Sequence, residues 1–229
     1  MTQHLVGHNI ISFDLPYLKR SANYNGVKTG GFATGSGKGR WPNCYLDTMV
    51  IDGANTYGHR ISLDRLAKIY GVGSKEGKSG KDFYKFERHE QEAYLENDLH
   101  ITRKVFEAQN HSEGLSDEYT IFDIETGPKP TAEILELSKK FNPEDVKTGN
   151  IKDPYKKADK IEQAREDHFN SIVGKAALDP SLSNVVAIGY IHSNGSIELD
   201  FGEPKKLLTR FWEVAGNIAG NESHLNTIN

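Results

Sequence analysis

Asp123 and Glu125 stand two positions apart in IFDIETGP, residues 121–128, a run that is otherwise largely apolar. On an extended strand, residues two apart face the same way, so both carboxylates share one face and Phe122 and Ile124 the other. Tyr94 and Asp98 lie four apart in the strongest helical pattern of the chain, residues 87–109. They therefore stack on one helical face, with Ile101 and Val105 beside them. A third acidic segment is GHNIISFDLPYLKR, residues 7–20, in which Asp14 follows a strand pattern and opens a helical one. Such junctions are where open α/β sheets place their sites. Buried carboxylates cost several kcal/mol unless they are paired or bind a metal. Two divalent ions about 3.5–4 Å apart can activate water and stabilise the leaving oxygen of a phosphodiester. Hard oxygen ligands suit Mg²⁺ or Mn²⁺, and the lack of a Cys/His cluster argues against zinc. Each fragment alone also has a plainer reading: a wetted edge strand, a polar helix margin, a helix cap.

The elements that must position these residues follow from pattern. Residues 4–11, 44–52 and 119–126 read as strands, and 183–202 as a hairpin around Asn194-Gly195. Residues 14–25, 62–72, 87–109 and 203–220 read as helices, with Ser62 a cap and Gly26 a stop. Residues 129–181 are charged and mostly helical. About five strands, two in a hairpin and the rest alternating with helices, predict a mixed sheet with helices on its faces.

Taken together, FDIET, GHNIISFDLPYL and YLEND resemble the three motifs of the DEDD superfamily of 3′–5′ exonucleases, in its tyrosine-bearing subtype. The second motif is similar to that of the proofreading domain of family B DNA polymerases. SLDRLAKIYGV, residues 62–72, looks like the helix that precedes the third motif there. The resemblance covers nearly the whole chain except about 129–181. It implies a ribonuclease-H-like α/β fold and two divalent cations. Asp123 would bridge both ions, Glu125 and Asp98 would hold the first, and Asp14 would serve the second. Tyr94 would orient the attacking water. Phe13 would wedge against the terminal base, Asn9 would support the local backbone or the substrate, and Thr126 would help to bind substrate. The implied substrate is single-stranded nucleic acid, DNA ahead of RNA or short oligonucleotides, and a proofreading role would need a polymerase or repair partner. The motif order departs from the family: the Asp-x-Glu motif should come first but stands last. The simplest account is a single circularly permuted exonuclease domain over 1–229, with the family-order start near 119. The His-Leu pairs at 4–5 and 224–225 fit such a junction.

Composition sets the bounds. A chain of 229 residues can bury a sizeable core, and its one cysteine, Cys44, precludes a disulfide framework. The lone cysteine and the absence of a leader pattern imply a reducing, cytoplasmic setting. No apolar run is long enough to span a membrane. A net charge of −4 and a pI near 6.1 give no support for a generally basic nucleic-acid binder, although bound cations can supply positive charge locally. GFATGSGKGR resembles a phosphate loop but fails its spacing, since Phe32 stands where the first glycine belongs and Gly39 where Ser or Thr does. Lys38 and Arg40 could touch substrate phosphates or simply be solvated, and Trp41 and Trp212 read as packing residues. The 129–181 segment reads as a solvated arm or as a strand clamp using Lys147, Lys152, Lys156, Lys157 and Lys160. Rival classes are a non-catalytic nucleic-acid-binding domain of the same fold and a ribonuclease-H-like endonuclease. Divalent-ion binding separates the first of these from an enzyme.

Overall fold

The computed structural model describes residues 3–29, 44–53, 60–75, 80–115 and 117–223. The readings of Lys38, Arg40, Trp41 and the 224–225 His-Leu pair lie outside them. The strands are β1 (His4–Gly7), β2 (Tyr45–Asp47), β3 (Tyr119–Pro128), β4 (Ser183–His192) and β5 (Ile197–Phe201). They form one sheet in the order β2-β1-β3-β4-β5. β1 runs parallel to both neighbours, with Leu5 opposite Tyr45 and Val6 opposite Ile121. β4 and β5 are antiparallel and close as the expected hairpin, where Gly195 takes φ 89° and Ser196 N–H donates to Asn194 Oδ1 at 2.9 Å. The start of β3 meets the end of β4 through Ser193 N–H to Tyr119 O at 2.9 Å. The end of β3 meets the residue before β4 through Lys129 N–H to Leu182 O, so these two strands are antiparallel as well. The fold is therefore α/β with a five-stranded mixed sheet, compatible with a ribonuclease-H-like architecture.

Strand alternation sends side chains into two cores. Leu5, Phe122, Ile124, Ile188 and Tyr190 pack with α1 (Asp14–Tyr24) and α7 (Pro204–Ser223), including Leu15, Leu18, Phe211 and Trp212. Val6, Ile121, Ala187 and Ile191 pack with α4 (Arg88–Glu113) through Leu95, Leu99 and Phe106. Helices thus cover both faces, as the patterning requires. Each buried aliphatic or aromatic side chain contributes about 1.5–3 kcal/mol of transfer free energy. α3 (Leu63–Ile69) packs on α4 through Leu66, Ala67, Ile101 and Val105.

Two strands are shorter than expected, and both end at the site. The apolar run 4–11 stops being a strand at Gly7. A Cβ there would run into Ile10 and lie 3.0 Å from Phe122 O. The chain then turns, Asn9 takes φ 63°, and Ile10 is buried as a turn residue. Likewise β2 ends at Asp47, whose carboxylate caps the short helix α2 (Thr48–Ile51). α4 runs past residue 109 to Glu113 and stops at Gly114, φ 61°.

By compactness the chain divides into one unit of Met1–Glu125 with Val185–Asn229, and another of Thr126–Asn184. The second contains α5 (Thr131–Leu137) and α6 (Pro154–Ala176), the latter capped by Asp153, which accepts Tyr155 N–H at 2.9 Å. Within it Phe141 packs at a tilt against His168, with ring centroids 5.7 Å apart, and His168 Nε2 donates to Lys139 O at 3.0 Å. Lys147, Lys152, Lys156, Lys157 and Lys160 are all exposed. Among the described residues, no helix is long and apolar enough to cross a membrane.

Candidate metal centre

The face of β3 that buries Tyr119 and Ile121 against α4 becomes acidic at Asp123 and Glu125. α4 matches the change. Leu95 and Leu99 lie in the core, and Tyr94 and Asp98, one turn apart, face the acidic end of the strand. Ligand oxygens of Asp98, Asp123 and Glu125 all lie within 4.8 Å of one another. Asp14, the first residue of α1, is buried and lines the same cavity of about 510 Å³, together with Asn9, Phe13, Tyr94 and Lys75. Four acids from three elements, far apart in sequence, thus converge on one recess.

Like charges gathered in a low-dielectric recess resist ionising. Burial, reinforced by Asp98, pushes the Asp123 carboxyl up to about 7. Burial and the Asp123 charge raise Asp14 and Glu125 well above the carboxylate range. Burial also raises Asp98, against the pull of Lys75. Such a set is stable as anions only with added positive charge. Asp98 Oδ1 is moreover buried with no hydrogen-bond partner among the described residues. A buried, unpartnered carboxylate oxygen facing two further carboxylates fits a divalent cation with hard oxygen ligands. The acidic triad could hold one such ion.

Tyr94 is held from several sides. Its ring lies 5.8 Å from Phe83 and 6.1 Å from Phe86. Gly80 leaves room for its hydroxyl, because a Cβ there would stand 2.9 Å from it and 3.6 Å from Glu125 Oε2. Burial and the nearby Asp98 push the phenol upward, so it stays protonated and can donate.

The segment between β1 and α1 is fixed by a residue that the sequence reading passed over. Asp47, buried at the end of β2, accepts Asn9 N–H at 2.8 Å and Met49 N–H at 3.0 Å on Oδ1, and Ile11 N–H at 3.0 Å on Oδ2. These bonds hold Asn9 in its left-handed conformation and aim the run toward Asp14. Asn9 Oδ1 is buried with no partner among the described residues. Phe13 is partly buried beside Tyr17, with ring centroids 5.9 Å apart. His8 is spent structurally: Nε2 donates to Ile61 O at 3.0 Å, which leaves Nδ1 to accept from the Thr48 hydroxyl at 2.9 Å. Burial lowers its pKa, in keeping with that neutral tautomer.

The structure brings together Asp14, Tyr94, Asp98, Asp123, Glu125, Asn9 and Phe13. Thr126 belongs to the second unit, where its hydroxyl donates to Ala177 O at 2.7 Å, a bond that engages its one donor. Lys75, Asp47 and Gly80 were missed. Asp47 carried a weak signal, an acid interrupting an apolar run and followed by Thr48, which the strand pattern of 44–52 masked. Lys75 carried none, being one lysine among several in a polar loop. Comparisons of the chain with protein-family models, with curated proteins and with solved structures return no match.

Proposed function

We propose that this protein is a metal-dependent 3′–5′ exonuclease that hydrolyses single-stranded DNA. The observation that carries the reading is the convergence of Asp14, Asp98, Asp123 and Glu125 in one cavity with a protonated tyrosine beside them. Asp98, Asp123 and Glu125 would hold one Mg²⁺ or Mn²⁺, and Asp123 with Asp14 a second. When bound, the pair of ions supplies Lewis-acid stabilisation of charge on the attacking and leaving oxygens. The protein's own groups do the rest. Tyr94 donates a hydrogen bond that orients a water. Phe13 gives the terminal base an apolar edge, and Asn9, held by Asp47, sets the turn that presents it. The carboxyls, held up by burial and by one another, give up their protons as cations arrive and supply the oxygens that hold them.

The strand layout also supports a permuted chain order. Counted from β3, the chain builds one side of the sheet through β4 and β5, and the other side through β1 and β2. The connection from α4 to β3 needs only residues 114–118.

The test uses a 5′-labelled single-stranded DNA oligomer with Mg²⁺, an EDTA control and Asp123→Asn. A ladder that shortens from the 3′ end, and is lost in both controls, is expected. No shortening by folded protein, with Mn²⁺ tried as well, overturns the DNA exonuclease reading. A single-stranded RNA oligomer run alongside reports the sugar preference.

A further inference from the structure

The carboxylates of the cavity already face a cation that belongs to the chain. Lys75 donates its ammonium to Asp98 Oδ2 in a close ion pair and lies 3.4 Å from the Tyr94 hydroxyl, with Nζ 5.5 Å from the centre of the Tyr94 ring. The Asp98 side chain is only 4% exposed and that of Lys75 27%. The backbone is pinned separately, because Lys75 N–H donates to Asp64 Oδ1 at 2.8 Å, at the start of α3. Asp64 also holds Lys68 at 2.6 Å. Arg60 is the other cationic side chain among the described residues lining the cavity, and it is exposed.

We propose that Lys75 is a built-in competitor for the metal: its ammonium holds Asp98 Oδ2, and a divalent ion that enters the Asp98–Asp123–Glu125 cluster on the free Oδ1 must share that carboxylate's charge with it or drive it off. The inference rests on the metal reading of this site. Its physics is simple. One buried carboxylate cannot give full compensation to an ammonium and to a dication, and the two cations repel each other at contact range. A lysine suits the exchange. Its charge rides on a flexible four-carbon stem, so the head can swing out while the backbone anchor at Asp64 stays in place. Lys75 then performs two tasks. In metal-free protein it neutralises the most buried acid of the cluster, and in the presence of metal it sets the concentration at which the site fills.

The experiment is titration calorimetry of Mn²⁺ into wild type, Lys75→Met and Lys75→Arg, with the thermal midpoint of each read in EDTA and in saturating Mn²⁺. Lys75→Met keeps the length and the apolar stem but removes the competitor. It should bind Mn²⁺ about tenfold more tightly than wild type, as expected for losing the competition of one partly buried ion pair. Its midpoint should fall in EDTA, where Asp98 has lost its partner, and the gap to wild type should close in Mn²⁺. Lys75→Arg keeps the charge and should bind within a few-fold of wild type. Mn²⁺ binding by Lys75→Met that is equal to wild type or weaker overturns the proposal. If no variant binds Mn²⁺, the metal reading falls with it. If the affinities follow the expected order but no variant cuts nucleic acid, the competitor stands and the exonuclease reading is what fails.

Discussion

Replacing Asp47 by Asn changes one atom of a side chain that touches no proposed ligand, yet it should be costly. The carboxylate is buried and accepts three backbone N–H groups, from Asn9, Met49 and Ile11. An asparagine offers one oxygen and a donor NH₂, so in either amide orientation at least one of these N–H groups faces another donor. Each bond to a charged acceptor is worth about 1.5–3 kcal/mol, and a stranded buried N–H adds its own desolvation cost. Against this, the neutral amide is easier to bury than the charge, which returns part of the loss. The balance for Asp47→Asn is about 2–4 kcal/mol. Asp47→Ala strands all three donors and should cost about 4–5 kcal/mol, near the top of the range for single substitutions. Urea denaturation with equal m-values would measure both. Asp47→Asn within about 0.5 kcal/mol of wild type would refute the reasoning, and so would an Asn variant as damaged as the Ala variant. Because the same bonds aim the run from Asn9 to Asp14, Asp47→Asn should also lower the rate in conditions where it remains folded.

Three further outcomes follow from the geometry. Gly80→Ala puts a methyl 2.9 Å from the Tyr94 hydroxyl. It should lower the initial rate about tenfold or more, since small misplacements of catalytic groups are expensive, while the thermal midpoint moves little; an unchanged rate would show that Tyr94 is not needed in place. Gly189→Ala drives a methyl to 2.7 Å from Leu99 and 2.9 Å from Leu95; denaturation should report a loss of about 1–3 kcal/mol from overpacking. In EDTA, the Asp123 carboxyl titrates at about 7 when folded and near 3.8 when unfolded. Its contribution is therefore fully present below the unfolded value and is lost as pH rises through the folded one. Between about pH 5 and pH 7 this group should lower stability by up to about 1.4 kcal/mol per unit, a slope that Asp123→Asn removes. A stability difference between wild type and variant that does not change with pH would contradict the assigned shift.

Much of the sheet was legible because period-two alternation and the Asn-Gly turn are local signals. Asp123 and Glu125 share a face for the same reason, and the Tyr94–Asp98 pairing follows from helical spacing. Where the reading ran long, tertiary contacts decided. Ile10 and Ile11 are apolar and extend the strand pattern, but the close approach of Gly7 to Phe122 O and the grip of Asp47 turn the chain there. Residues 48–52 read as strand, yet the cap at Asp47 starts a helix instead. Lys75 was invisible because its role depends on Asp64 and Asp98, 11 and 23 positions away, and no periodicity links them. Thr126 shows a commitment that sequence adjacency does not reveal. It adjoins the acidic pair in sequence, but its hydroxyl is committed to Ala177 O.

Cys44 gives the protein a clock. It is the sole cysteine, fully buried, and its carbonyl accepts Leu5 N–H at 2.7 Å where β2 begins against β1. Its thiol lies in the core shared with α1 and α7, so a reagent reaches it only when that core opens. With reagent in excess, the rate of labelling therefore counts such openings beside the outer strand, with no engineered probe. Asp47 sits at the other end of the same strand, so labelling rates with and without Mn²⁺ would say whether filling the acidic recess quiets the sheet edge that aims it.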